Sequence, residues 1–193
     1  MLKLHALAVP SALAAILWGG AISAQTNGQP EEFSATAIVN NNLGAGAGRV
    51  IMRVERWSTE AQRGQLTRVL MKDGPNELLD QLRDQKSVGT IRTPDSLGYD
   101  LRYAHQEAGE DGGRRVVIAT DRPIGFWEAV HQPRTIDYPF TVIDMRINRE
   151  GVGEGKMSLA TKITASKDKK QVELENYGTQ PVLLQSIKRE AVR

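Results

Sequence analysis

Apolar residues along this chain keep two different periods. From residue 33 to the mid-fifties they recur every second position, then over residues 58–85 at helical spacing, and from residue 88 the two-residue period returns. "FSATAIVNN" and "GRVIMRVERW" open the pattern as strands. In the second, Val50, Met52 and Val54 alternate with Arg49, Arg53 and Glu55, the mark of a half-buried strand. The glycine-rich "NNLGAGAG" between them reads as a hairpin loop.

"STEAQRGQLTRVLMKDGP" changes period. Thr59 and Gln62 have the spacing of a capping box, and Leu66, Val69 and Leu70 fall on one helical face. Gly74 and Pro75 stop this helix, and Pro75 is suited to open the next, whose stripe is Leu78, Leu79 and Leu82. The leucine spacing predicts a helical hairpin packed on a sheet.

After that come "VGTIRT", "LGYDLRYAHQEA" and "RRVVIATD". In the second of these, Tyr99, Leu101, Tyr103 and His105 alternate with Asp100, Arg102 and Gln106. Four further strands follow in "FTVIDMRINRE", "KMSLATKIT", "QVELENY" and "VLLQSIKR". Shared faces are expected for Ile143, Met145 and Ile147, for Met157, Leu159 and Ile163, and for Val172 and Leu174. "EGVGEG" and "ASKDKK" read as hairpin loops. About nine strands and one helical pair, without βαβ alternation, predict an α+β fold. Its mainly antiparallel sheet should be curved, barrel-like or sandwich-like, with the hairpin packed on it.

Composition narrows the function classes. The chain has 193 residues, 40% hydrophobic and 25% charged, which is ordinary globular material. A formal net charge of +2 and 5% aromatic residues give no electrostatic or stacking signature of nucleic-acid binding. There is no cysteine, so disulfides, thiolate metal sites and a cysteine nucleophile are excluded. The N-terminus has one lysine, then "ALAVPSALAAILW", then the small-residue stretch "GGAISA". This predicts a secretory signal peptide over residues 1–24, too short in its apolar core for a membrane span of roughly 20 residues. A flexible polar leader is expected over 25–32 and one antiparallel α+β domain over 33–193. The mature protein is then expected to be secreted or periplasmic, with no membrane span.

Motifs of known chemistry fail on inspection. Gly44, Gly46 and Gly48 miss the dinucleotide pattern because Arg49 stands where the third glycine belongs. "GVGEGKMS" misses the phosphate loop at Glu150 and Met157 and reads as a hairpin tip. Ser96 in "PDSLGYD" lacks the first glycine of a nucleophile elbow and reads as a turn residue. His105 and His131 are the only histidines beyond the signal segment, and Glu128 with His131 forms a single Glu-x-x-His. Metal sites of that type use two such motifs with further acids. No metal or cofactor is therefore expected.

Residues 119–140, "ATDRPIGFWEAVHQPRTIDYPF", concentrate the remaining chemistry. Asp121, Glu128, His131 and Asp137 are candidate acid–base residues; Trp127, Arg122, Arg134 and Tyr138 are candidate binding residues. The structural alternative is a short connection bounded by Pro123 and Pro133, its charges paired and Trp127 one helical turn from His131. The first expectation is thus an exported, non-catalytic binding or structural domain whose partner is a protein or small molecule, with no nucleic acid. The alternatives are a small metal-independent hydrolase or lyase, and a carrier of an apolar ligand in a curved sheet. A carrier needs an enclosed apolar cavity; an enzyme needs an open polar cleft.

Overall fold

A computed structural model describes residues 28–41, 44–109, 112–124, 137–166, 171–176 and 180–192. The expected signal peptide lies outside the described residues. Ten strands and two helices follow in the order β1 (Glu31–Asn41), β2 (Gly44–Val54), α1 (Glu60–Asp73), α2 (Pro75–Asp84), β3 (Gly89–Arg92), β4 (Tyr99–Leu101), β5 (Tyr103–Ala108), β6 (Arg114–Ala119), β7 (Phe140–Ile147), β8 (Val152–Ser166), β9 (Gln171–Asn176) and β10 (Val182–Glu190). The sheet runs β4-β3-β2-β1-β10-β8-β7-β6-β5, with β9 paired to β8, and the paired strands are antiparallel. This is the expected α+β architecture with its helical hairpin, and the sheet curls into a nearly closed barrel.

The strand expected over 97–108 is two strands, and their junction closes the barrel. β4 and β5 lie at opposite ends of the strand path, yet only Arg102 separates them. Arg102 N donates to Ala119 O at 3.0 Å. Its guanidinium donates to Gln85 O and pairs with Asp100 and with the buried Asp121, each at 3.5 Å. Ser58 seals the adjacent gap: its N donates to Ala104 O at 2.6 Å, and its Oγ accepts from Ala104 N at 3.2 Å. The break changes which side chains share a face. Tyr99 and Leu101 pack with the interior, whereas Tyr103 borders the cluster beneath the helices and His105 lines the space beside it.

Two further expectations are corrected. The glycine-rich segment after Asn41 is mostly strand, with β2 paired to β1 from Gly44 onward, because backbone hydrogen bonding extends a hairpin ladder without large side chains. Met157 and Ile163 do not share a face: Met157 is interior, and Ile163 belongs with the helices. The pairing shifts between Phe140–Thr161 and Val142–Ser158, and a shift by one residue turns the following side chains over. The N-terminal segment also joins the fold earlier than a leader to residue 32 implies. β1 includes Glu31 and Glu32, and Trp57 Nε1 donates to Gln29 O at 3.2 Å.

The interior is one cluster to which all strands but β9 contribute, among them Phe33, Met52, Ile91, Ile118, Met145 and Leu184, each fully buried. The alternation read at Val50, Met52 and Val54 points all three inward. One end is stoppered by Arg114, which pairs with Glu31 and lies over the Phe33 and Trp57 rings at 5.6 and 5.9 Å.

The helical hairpin forms as its sequence predicts. Thr59 and Gln62 make the reciprocal capping box, and Pro75 sits in the first turn of α2. Gly74, with φ of 92°, joins the two helices in a conformation that favours glycine. Leu70, Leu78, Leu79 and Leu82 pack against Ala119, Phe140, Val142 and Ile163 on the outer face of the sheet.

Candidate functional site

The hairpin and the sheet do not meet everywhere. Between them lies a chamber of about 470 Å³, within the roughly 300–1,000 Å³ of small-molecule sites. Leu66, Leu70, Leu78 and Leu82 form its roof. The floor is Tyr103 of β5, Val117 and Ala119 of β6, Val142 of β7 and Ile163 of β8. Val172 and Leu174 of β9 line it too, although they are 51% and 45% exposed, and so mark the mouth. The shared face read for these two residues becomes an apolar lip.

Charge is confined to one end. Arg63 of α1, Glu107 of β5, Arg115 of β6 and Asp144 of β7 border the chamber there. Antiparallel register explains the segregation. His105 is opposite Val117, which is opposite Asp144, and Glu107 is opposite Arg115, while Tyr103, Ala119 and Val142 lie toward the other end of the same strands. The charges are already matched. Arg115 grips Asp144 with two hydrogen bonds of 2.9 and 2.8 Å, which hold its guanidinium pKa above the ordinary value. Arg63 pairs with Glu60 at 2.9 Å and Glu107 at 3.2 Å, and the hydrogen bond to Glu60 chiefly raises its pKa. Burial, the largest cause, pushes the Tyr103 phenol far above its usual value, so it stays neutral.

His105 stands at the boundary between the apolar and charged ends. It is 3% exposed and stacks on Tyr103, ring centres 6.1 Å apart. Its Nδ1 lies 3.2 Å from Ser58 O, and a carbonyl only accepts, so this nitrogen carries a proton and donates. Nε2 is 3.1 Å from Glu60 Oε1 and 3.9 Å from Glu107 Oε1, but neither is aligned for a hydrogen bond.

The residues singled out in 119–140 are only partly described. Trp127, Glu128, His131 and Arg134 lie outside the described residues, and with them the expected Trp127–His131 contact. Asp121 is buried and held by Arg102 at 3.5 Å and Arg122 at 3.3 Å. Asp137 is exposed, and Tyr138 donates to Glu175 of β9 at 2.7 Å. Ser96 is a turn residue whose Oγ accepts from Thr93 N. Among the described residues no cluster of three His, Asp or Glu is arranged to hold a metal ion, and no helix is long and apolar enough to cross a membrane. The chamber's leucines and its β9 lip were visible as periodicity. Its charged end was not, because Arg63, Glu107, Arg115 and Asp144 come from separate elements and only strand register brings them together. No protein family, curated protein or solved structure matches this chain.

Proposed function

We propose that this protein is an exported, non-catalytic binding domain that carries an apolar ligand between its helical hairpin and the outer face of its barrel. The chamber carries this reading, as a space open at its lip rather than the enclosed cavity expected of a carrier: an apolar roof, floor and lip, with polar groups gathered at one end. That is the usual composition of a small-molecule site, in which apolar walls supply affinity and a few polar groups supply orientation. The acid–base alternative draws no support from Asp121, whose carboxylate is committed to two arginines. Export rests on residues 1–24, and the protein recovered from the exported fraction should begin at or near Gln25.

N-phenylnaphthylamine, an uncharged probe that fluoresces in apolar surroundings, tests the binding reading. The folded protein should take it up saturably. Ala119→Leu puts added methyl groups into the chamber floor and should weaken uptake at least about tenfold. A wild-type protein that takes up no probe, or a folded Ala119→Leu variant with undiminished affinity, overturns the assignment.

A further inference from the structure

The polar end of the chamber specifies the ligand's head. Resting on the proposed binding function, we propose that the chamber takes a single-chain amphiphile whose head is a hydrogen-bond donor without negative charge, an alcohol or an amine, received by Nε2 of His105.

Three observations lead there. His105 lines the chamber and is 3% exposed, yet Nε2 has no aligned hydrogen-bond partner, and a head group reaches it where the half-exposed Glu60 side chain turns aside. A buried polar atom of that kind is costly to leave unmatched, and a ligand can supply the match. The ring's other nitrogen donates to Ser58 O, so in neutral imidazole Nε2 is an acceptor and the ligand must donate. A hydroxyl also serves imidazolium, because its oxygen accepts from the protonated nitrogen.

The second observation is the charge around that nitrogen. Glu60 Oε1 and Glu107 Oε1 stand 3.1 and 3.9 Å away, both carboxylates sharing Arg63. An anionic head brought to Nε2 would add a third negative group beside one guanidinium. Arg115 offers no relief, since both of its hydrogen bonds in this cluster go to Asp144. A carboxylate, sulfate or phosphate head is therefore disfavoured, whereas a neutral or cationic donor is not.

The third observation is direction. The leucine roof, Ile163 and the β9 lip extend from His105 away from the charged end. A chain lying along them places its head at His105 only if its tail points toward the lip. One chain, with one polar terminus, fits this gradient.

A dodecyl series separates the possibilities: dodecanol, dodecylamine, dodecyl methyl ether and dodecanoate, each competing with N-phenylnaphthylamine on the full mature protein. Dodecanol and dodecylamine should bind about five- to tenfold more tightly than the ether, which cannot donate, and dodecanoate should be weakest. His105→Leu should bring dodecanol down to the ether's affinity. His105→Gln, which keeps an amide acceptor, should retain part of the preference and serves as the control if the leucine variant does not fold. If none of the four competes, the binding function itself fails. If all four compete equally, or dodecanoate is favoured, the chamber is a binding site but the donor-head assignment is wrong.

Discussion

The two faces of this sheet are packed by different rules. The inner face is filled. Strands from both ends of the path contribute to it, and Phe33, Met52, Ile91, Leu101, Ile118 and Met145 have no accessible surface. The outer face of β5 to β8 carries one hairpin, of which Leu70, Leu78 and Leu82 both pack on the sheet and border the chamber. A closed sheet can bury side chains from all round, whereas two helices laid on a convex surface contact it along a limited stripe. The inner face therefore supplies most of the stability, and the outer face keeps room for a ligand.

Phe33→Ala gives the largest expected effect. Its ring is fully buried at the stoppered end, under Arg114, so truncation should cost about 3–5 kcal/mol in urea melts. A cost near that of an outer-face truncation would remove the contrast between the faces.

Leu82→Ala should be milder than its burial suggests. Leu82 is 2% exposed, yet it borders a space that already exists, so fewer neighbours are lost with its side chain. A cost of about 2 kcal/mol is expected, the low end for buried leucine, again by urea melt. A cost of about 5 kcal/mol would mean that the hairpin is as tightly packed as the interior.

Much of this architecture is legible in local pattern. The alternation at Val50, Met52 and Val54 and the Thr59–Gln62 capping box need only neighbours along the chain, and both are realised. Misreadings occur where a long-range contact overrides the local period. At Arg102 a guanidinium bound to Gln85, Asp100 and Asp121 interrupts a strand that alternation alone would continue. Near residue 160 a pairing shift turns Ile163 outward, and nothing in "KMSLATKIT" announces it. The same limit hid the charged end of the chamber. Arg115 meets Asp144 diagonally across two paired strands, a relation that exists only once register is set. Composition marks the residues of 119–140, whereas little in the sequence marks His105 beyond its place in an alternating strand.

The smallest effect on stability should accompany the clearest effect on binding, at Leu174. This residue is 45% exposed on β9, yet it lines the chamber mouth beside Val172. An exposed apolar side chain contributes little to folding, so Leu174→Asp should shift stability by no more than about 0.5 kcal/mol. For a ligand the position is different. A chain lying across the lip would meet a carboxylate where it now meets a branched alkyl group, and placing that charge against an alkyl chain removes its water without giving it a partner. N-phenylnaphthylamine affinity should fall about tenfold while the urea midpoint stays in place. The opposite outcome, a lowered midpoint with unchanged affinity, would make the β9 lip part of the folding core. The two faces would then differ in degree of packing rather than in purpose.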